Sequence, residues 1–189
     1  MAPKQRKIAL MGFRSVGKSS LTIQFVEGQF VDCYDPTIEN TFYKNINVKG
    51  QEYCLKLVDT AGQDEYSIFP HTYAMDIHGY CLVYSINNLK SFEVAKIIYD
   101  KLLDMTGKIQ VPIILVGNKN DLHLERCVSY QDGKDLADFM KANFVEVSAK
   151  EHSAVTNLFQ TLILSIEKHG LSENNETSNQ ERHNKCTIA

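Results

Sequence analysis

The sequence has no tryptophan, only four prolines among 189 residues, and no strong excess of charge of either sign. Its formal net charge is -3, with 20 Lys and Arg residues against 23 Asp and Glu residues. Proteins that bind nucleic acid usually carry a large basic surface, which such a balanced composition does not indicate. We therefore expect no nucleic-acid partner.

Paired cysteines and histidine clusters are also missing. The five cysteines are odd in number, widely spaced, and include no Cys-x-x-Cys pair. The six histidines are scattered, without Cys or His partners at the spacing of metal ligands. This pattern indicates neither a zinc site nor a disulfide framework, and it favours a reducing compartment.

Long apolar runs are absent as well. No stretch approaches the roughly 18 apolar residues that span a bilayer. The apolar segment Ile8–Met11 is too short for the core of a signal peptide, so we expect no secretion. Residue 2 is Ala rather than Gly, which excludes N-myristoylation. Any membrane attachment is therefore expected at the other end of the chain.

Short apolar runs alternate with segments of helical period, a pattern typical of α/β folds. The length and the hydrophobic fraction of 43% suit one domain. Apolar stripes predict helices around 94–105 and 155–166, and Ser129 with Asp132 predicts another helix start. The polar residues after Gly170 predict a disordered tail. Strands are predicted at Lys7–Met11, Gly79–Ser85, Val111–Gly117 and Asn143–Val147, with a hairpin of Thr41–Val48 and Glu52–Val58 around Lys49–Gly50.

A phosphate-binding motif lies between the first strand and the following helix. Gly12–Ser19 reads Gly-Phe-Arg-Ser-Val-Gly-Lys-Ser and matches the pattern G-x-x-x-x-G-K-[ST]. Its glycines let backbone N–H groups turn toward phosphates, and the helix N-terminus adds a positive dipole. Lys18 would bind the outer phosphates and the Ser19 hydroxyl would ligate Mg²⁺.

A second motif, Asp59-Thr60-Ala61-Gly62-Gln63, follows the hairpin where a strand ends. Ligands of open α/β sheets bind at the carboxyl ends of strands. There Asp59 could hold Mg²⁺ through water, Gly62 could bring a backbone N–H to the γ-phosphate, and Gln63 could orient an attacking water. On its own, Asp-x-x-Gly is a turn.

The base is indicated by Asn118-Lys119-Asn120-Asp121, which ends the strand at Val111–Gly117. The Asp121 carboxylate can accept hydrogen bonds from guanine N1–H and its exocyclic amine, whereas adenine lacks that amine. If the wrong base left this buried acceptor unpaired, the site could discriminate against that base by roughly 10⁴-fold or more. Ser148, Ala149 and Lys150 would form a further loop over the base.

These segments, in this order, resemble the Ras superfamily of small GTPases from about Lys7 to Lys168, most specifically at Gly12–Ser20, Tyr34–Phe42 and Val58–Pro70. The resemblance implies a P-loop NTPase (Ras-like) fold with six strands, mostly parallel with one antiparallel edge strand, and helices on both faces. It implies a GTPase domain at 1–170, a flexible tail at 171–189, and two nucleotide-dependent switches at Val31–Thr41 and about Gly62–Thr72.

The resemblance also assigns residues. Gln63 is expected to be catalytic, and Ser19 and Thr37 to ligate Mg²⁺. The expected effector region is Tyr34, Asp35, Pro36, Thr37, Ile38, Glu39, Asn40, Thr41 and Phe42. The expected nucleotide-binding residues are Arg14, Ser15, Val16, Gly17, Lys18, Ser19, Ser20, Phe30, Val31, Tyr34, Thr37, Asp59, Gly62, Asn118, Lys119, Asp121, Ser148, Ala149 and Lys150.

Two positions depart from the wider family pattern. Arg14 replaces a loop glycine beside the γ-phosphate, and Asn40 replaces an effector-contacting Asp. A bulky Arg14 would crowd the water that Gln63 must place, which predicts slow hydrolysis; alternatively, its side chain points into solvent. The loss of charge at Asn40 disfavours kinase partners that recognise an acidic switch.

No arginine lies between Val31 and Thr41, so an activating partner must supply the missing catalytic group. For the branch of the superfamily that this chain resembles, that partner is the tuberous sclerosis complex and the effector is the TOR kinase complex. The resemblance implies that the chain itself acts as a monomer.

The last four residues, Cys186-Thr187-Ile188-Ala189, fit the C-a-a-X prenylation pattern, and a terminal Ala predicts farnesylation. Because Arg182 and Lys185 do not form a polybasic patch, one lipid should bind membranes weakly and reversibly. We expect the cytoplasmic face of endomembranes with a cytosolic pool.

Three functions stay open at this point. The chain could be a slow GTPase that works as a GTP/GDP switch, a binding module that remains GTP-bound, or an ATP-dependent enzyme with the same phosphate loop. Gln63 favours the first and Arg14 the second. The Asn118–Asp121 segment disfavours the third.

Overall fold

This computed structural model describes residues 2–31, 38–67 and 75–185, with side chains described as far as Leu171. Its elements, in chain order, are β1 (Lys4–Gly12), α1 (Lys18–Glu27), β2 (Glu39–Val48), β3 (Gln51–Thr60), β4 (Gly79–Ser85), α2 (Leu89–Thr106), β5 (Ile113–Asn118), a 3₁₀ segment (Asn120–Glu125), α3 (Tyr130–Phe139), β6 (Asn143–Glu146) and α4 (His152–Lys185).

Within the described ranges, six strands form one sheet in the order β2-β3-β1-β4-β5-β6. All neighbouring pairs are parallel except β2 with β3, which pair antiparallel at the edge. Lys49 and Gly50 join this hairpin with positive φ angles of 52° and 82°. The predicted sheet and hairpin are confirmed. β1, β2 and β3 extend one to three residues beyond their predicted ends, whereas β5 begins two residues later and β6 ends one residue earlier than predicted.

Helices cover both faces of the sheet, as predicted. Every residue of β4 and β5 is buried, which requires packing on each side. α1 meets α4 through the stacked rings of Phe25 and Phe159, whose centroids are 4.2 Å apart. α2 meets α3 through an edge-to-face contact of Tyr99 and Phe139. The apolar stripes of α2 and α4 are core, as their period predicts.

Helix α3 begins with the predicted cap. The Ser129 hydroxyl accepts a hydrogen bond from the Asp132 backbone N–H, and the Asp132 carboxylate accepts one from the Ser129 N–H. This reciprocal arrangement satisfies two N–H groups that a helix end would leave unpaired.

The four inner parallel strands all bring their carboxyl ends to one edge of the sheet. At that edge β1 ends in Gly12, where the chain must turn sharply with φ at 147°. A Cβ here would lie 2.1 Å from the carbonyl oxygen of Val83, so only glycine fits. Gly12 thus opens the loop that the sequence assigns to phosphates.

The C-terminal region differs from its prediction. α4 continues as helical backbone to Lys185, beyond Gly170, where the sequence predicts disorder. Among the α4 residues with described side chains, which end at Leu171, the last buried one is Ile166. The domain boundary at 170 stays a prediction. Among the described helices, none is long and apolar enough to cross a membrane.

Candidate functional site

A cavity of about 440 Å³ opens at the carboxyl edge of the sheet. Most of the described residues predicted to bind nucleotide line it, so the fold brings four distant segments together. Val16 and Asp59 lie outside this lining, and Thr60 and Leu122 join it although the sequence did not single them out. The lining residues are Arg14, Ser15, Gly17, Lys18, Ser19, Ser20, Phe30, Val31, Thr60, Gly62, Asn118, Lys119, Asp121, Leu122, Ser148, Ala149 and Lys150.

Lys18 is held at the end of the cavity that the sequence assigns to phosphates, hereafter the phosphate end. Its Nζ donates hydrogen bonds to the carbonyl oxygens of Gly12 at 2.9 Å and Phe13 at 3.0 Å. Burial lowers its pKa to about 8, and the nearby Asp59 carboxylate offsets only part of that shift. A buried ammonium group that is poorly compensated by its surroundings is suited to an anion with several oxygens.

The start of α1 is packed tightly against Asn118. Gly17 has φ at 96°, and a Cβ at this position would lie 2.3 Å from the Asn118 Nδ2. That Nδ2 donates a 2.8 Å hydrogen bond to the carbonyl oxygen of Val16. Val16, which is buried, therefore supports the loop from behind rather than facing the cavity.

Ser19 and Asp59 form a candidate magnesium site. The Ser19 hydroxyl donates a 2.6 Å hydrogen bond to Asp59 Oδ2. Burial raises the pKa of Asp59 despite that bond and the charge of Lys18, and its Oδ1 has no hydrogen-bond partner among the described atoms. Mg²⁺ prefers hydroxyl, carboxylate, water and phosphate oxygens, so this pair fits it. The other predicted ligand, Thr37, lies outside the described residues.

Asp121 is oriented by two neighbours at the end of the cavity that the sequence assigns to the base, hereafter the base end. Its Oδ1 accepts a 2.8 Å hydrogen bond from the Ser148 hydroxyl, and its Oδ2 accepts one of 2.7 Å from Lys150 Nζ. Partial burial raises the pKa of this carboxyl, but the bonds from Lys150 and Ser148 lower it more, so the net pKa falls. The group is thus a charged acceptor in a fixed position.

Phe30 and two lysines complete the base end. Lys150 Nζ lies 5.6 Å from the centre of the Phe30 ring, within the range of a cation–π contact. Lys119 has a left-handed backbone, with φ at 64°, and its Nζ donates to the carbonyl oxygen of Ser15 at 2.8 Å. Lys119 therefore ties the base end of the site to the phosphate loop.

Gln63, the predicted catalytic residue, is turned away from the cavity. Its Oε1 accepts a 2.8 Å hydrogen bond from the backbone N–H of Gly12, and its Nε2 donates to the Thr60 hydroxyl at 2.8 Å and to the carbonyl oxygen of Ala61. The side chain is 4% exposed and is not part of the cavity lining. Sequence reasoning could name this residue but not its orientation.

The segment after Gln63 is fastened to α2. Lys101 Nζ donates to the carbonyl oxygens of Glu65 at 2.8 Å and Ser67 at 2.9 Å, and Lys90 pairs with the Glu65 carboxylate at 2.6 Å. The Asp64 carboxylate accepts hydrogen bonds within this turn from the Ser67 hydroxyl and the Tyr66 N–H. The segment that directly follows Gln63 is therefore held against α2.

Arg14 lines the cavity, and its guanidinium also lies 5.4 Å from the centre of the Phe13 ring. Its backbone packs against Gly62, where an added Cβ would come within 2.4 Å of the Arg14 Cα. The two interpretations of Arg14, crowding of the water and exposure to solvent, both stay predictions.

The predicted effector region is only partly described. Ile38, Glu39, Asn40 and Thr41 are exposed, and Phe42 packs against the core. Ile38 is 88% exposed, so its side chain is accessible to a partner. The remaining predicted residues of these sites, Tyr34, Asp35, Pro36, Thr37 and Cys186, lie outside the described residues.

Comparisons with known proteins agree with this geometry. A family model described as "Ras family" matches residues 7–168. The chain belongs to the Ras family of small GTPases. The resemblance and the Ras-like fold that the sequence predicted are thereby confirmed.

Several relatives of this Ras-family chain carry the name Rheb. It is 67% identical over 165 residues to GTP-binding protein Rheb of Homo sapiens, a match that covers 87% of this chain and 90% of that protein. It is 59% identical to the GTP-binding protein Rheb homolog of Drosophila melanogaster over the full length of both chains. It is 54% identical over 169 residues to GTP-binding protein rhb1 of Schizosaccharomyces pombe, covering 89% and 91% of the two chains.

Proposed function

We propose that this chain is a Rheb-type switch that binds GTP and GDP with Mg²⁺ and hydrolyses GTP slowly. The observation that carries the choice of base is the Asp121 carboxylate, which Ser148 and Lys150 hold at one end of the cavity. An acceptor fixed in this way pairs with the N1–H and amine of guanine.

The phosphates are proposed to lie at the opposite end of the cavity. Lys18 and the N-terminus of α1 would bind them, and Ser19 and Asp59 would hold Mg²⁺. The metal would neutralise charge that develops on the phosphate oxygens during hydrolysis. The low pKa of Lys18 supports this placement, because phosphates would restore a favourable environment for its charge.

Slow hydrolysis is supported by the hydrogen bonds of Gln63. Its amide is bonded to Gly12, Thr60 and Ala61 and does not face the cavity. A residue that orients the attacking water must come within hydrogen-bond reach of it. The side chain must therefore rearrange before it can act, and an activating protein would supply the binding energy for that change.

The alternative function is a binding module that stays GTP-bound and scarcely hydrolyses. The same Gln63 geometry and the presence of Arg14 in the cavity lining favour it. The two proposals differ in whether an activator can restore hydrolysis. An ATP-dependent enzyme is disfavoured, since adenine offers Asp121 no pair of donors.

Partners are proposed from the relatives. The names of the curated relatives support a Rheb-type protein, for which we propose the tuberous sclerosis complex as the activating partner and the TOR kinase complex as the effector. Exposed Ile38 and Asn40 would belong to the effector surface. The chain is proposed to act as a monomer.

Membrane attachment is proposed through a farnesyl group on Cys186. A single lipid without a polybasic patch would give reversible binding to the cytoplasmic face of endomembranes and leave a cytosolic pool. Metabolic labelling with an isoprenoid precursor should mark the parent but not Cys186→Ser, and the variant should lose its membrane fraction. An unchanged membrane fraction would contradict the proposal.

A nucleotide assay tests the central proposal. Purified protein should release GDP or GTP on denaturation, and excess unlabelled GTP, but not ATP, should displace a fluorescent GDP. ATP that competes as well as GTP would contradict the guanine assignment. Single-turnover hydrolysis should be slow in the parent and faster in Arg14→Gly. A rate in Arg14→Gly no higher than the parent's would contradict the crowding interpretation.

A further inference from the structure

Gln24 links α1 to the loop at the base end of the site. It is 3% exposed, and its Nε2 donates a 2.9 Å hydrogen bond to the carbonyl oxygen of Ala149. Its Oε1 is buried without a hydrogen-bond partner among the described atoms. Burying an amide oxygen without a hydrogen-bond partner costs free energy. The Gln24 amide is nevertheless buried where its Nε2 reaches Ala149, 125 positions away, which points to a role for that bond.

The bond closes a ring of contacts around the cavity. The Ala149 N–H donates to Asn118 Oδ1 at 3.2 Å, and Asn118 Nδ2 donates to the carbonyl oxygen of Val16 at 2.8 Å. Val16 leads through the phosphate loop into α1, the helix that carries Gln24. Both ends of the site are therefore fixed to one another through Gln24, Ala149 and Asn118.

The backbone of Gln24 fixes a third element. Its carbonyl oxygen accepts the N–H of Gly28, which ends α1, and lies 3.2 Å from Nδ1 of His152 at the start of α4. The 148–150 loop lies between β6 and α4. Gln24 thus contacts both the 148–150 loop, through its side chain, and the helix that follows this loop, through its backbone.

We propose that Gln24 is a positioning residue that sets how long a guanine nucleotide stays bound. Gln24 is not in the cavity lining and acts through Ala149, a lining residue that is 5% exposed and whose carbonyl oxygen accepts the Gln24 hydrogen bond. Loss of the bond frees the loop that also carries Ser148 and Lys150, the two partners of Asp121. This inference rests on the proposed guanine-nucleotide function.

The test uses Gln24→Met in the full chain, because methionine has a similar length and removes the amide. Dissociation of fluorescent GDP should become about five- to tenfold faster, the size expected when one buried hydrogen bond is lost. Gln24→Glu should accelerate dissociation further, since a carboxylate would face the Ala149 carbonyl. Gln131→Met is the matched control, because Gln131 is exposed on α3 and bonds Asp135; its rate should equal the parent's.

Two further readouts separate positioning from general loosening of the fold. The association rate constant and the single-turnover hydrolysis of bound GTP should stay within about twofold of the parent, because neither depends on the 148–150 loop being held. Equal changes in hydrolysis and dissociation would overturn the inference. Should Gln24→Met fold poorly, Gln24→Asn keeps the polarity but is too short to reach Ala149, and it should show the same selective effect.

Failure of the inference can be told from failure of the proposed function. A parent that retains GDP tightly, with Gln24→Met dissociating at the parent's rate, would overturn the inference alone. A parent that binds no guanine nucleotide would overturn the proposed function and the inference with it.

Discussion

The two ends of the cavity are built differently. At the base end, Asp121 accepts a hydrogen bond from Ser148. Asn118 accepts one from the Ala149 N–H and donates one to the Val16 carbonyl oxygen in the phosphate loop. At the γ-phosphate end, Gln63 is satisfied by Gly12, Thr60 and Ala61 and does not reach the cavity. The difference supports our proposal that the groups for guanine recognition are preassembled, whereas hydrolysis requires Gln63 to rearrange.

The cost of that rearrangement would account for the slow hydrolysis that we propose. Gln63 must give up three hydrogen bonds before its amide can turn, and each contributes about 1 kcal/mol net. Before any replacement contacts form, the total is on the order of 3 kcal/mol, which corresponds to about two orders of magnitude in rate. The anchoring of Glu65 and Ser67 by Lys101 resists the same movement.

The largest effect is expected for a substitution at the base end of the cavity. Asp121→Asn should weaken GDP binding by about 10³-fold or more, because the amide presents a donor where guanine also presents one. The same variant should bind xanthosine diphosphate better than the parent does, since xanthine carries an oxygen in place of the amine. Competition against fluorescent GDP measures both. Equal GDP affinity in parent and variant would show that Asp121 does not read the base.

The next prediction concerns the γ-phosphate end, where Gly62 packs against the backbone of Arg14. Gly62→Ala would place a Cβ 2.4 Å from the Arg14 Cα, so backbone must move. We expect the free energy of unfolding to fall by about 2 kcal/mol, as is usual for overpacking. Urea denaturation with saturating GDP measures it. Gly170→Ala, where an added Cβ meets nothing within 4 Å, is the control; because Gly170 lies within α4, this substitution should leave stability unchanged or raise it by up to about 1 kcal/mol.

The pKa of Lys18 predicts how nucleotide affinity depends on pH. Without nucleotide the pKa is about 8 because of burial, and bound phosphates should raise it. Affinity should therefore be constant below pH 8, where Lys18 is charged in both states. It should fall by up to about tenfold per pH unit between pH 8 and the pKa of the complex.

Calorimetry of GDP binding in two buffers with different ionisation enthalpies checks this prediction. Proton uptake should be near zero at pH 6.5 and clearly positive at pH 9. If the affinity for GDP did not change from pH 7 to pH 9.5, the proposal that charged Lys18 binds the phosphates would be contradicted.

The smallest effect is expected for Gln63→Leu in the protein alone. Its amide does not face the cavity, so intrinsic single-turnover hydrolysis should change by less than about threefold. Gln131→Leu on the exposed face of α3 is the control. A drop of more than about 30-fold would mean that Gln63 already orients the water in the resting protein and that the two ends do not differ as described.

Much of this arrangement follows from sequence because it is set by local patterns. Apolar runs located the strands, Ser129 with Asp132 located the start of α3, and Gly12–Ser19 located the turn from β1 into α1 at the edge of the cavity. These features depend on backbone geometry and on residues close in sequence. Asp121 could be assigned to the base because the Asn118–Asp121 segment ends a buried strand and a carboxylate can pair with guanine.

The orientation of Gln63 and the role of Gln24 could not be predicted in this way. Gln63 bonds Gly12, which lies 51 positions away, and Gln24 bonds Ala149 across 125 positions. Which conformer a long polar side chain adopts depends on partners that only the tertiary fold brings near. The helical backbone of α4 beyond Gly170 was not predicted for another reason. Helical hydrogen bonds are local, so a helix can continue where the composition offers few apolar residues for a core.

The most direct test of the account is single-turnover hydrolysis of GTP bound to the purified protein, without any partner. If recognition is preassembled and hydrolysis is not, GTP should stay bound and decay with a rate constant at or below about 10⁻⁴ s⁻¹, slower than the intrinsic rate of a typical Ras protein. A rate constant of about 10⁻² s⁻¹ or higher would contradict it, because the γ-phosphate end would then be as ready as the base end.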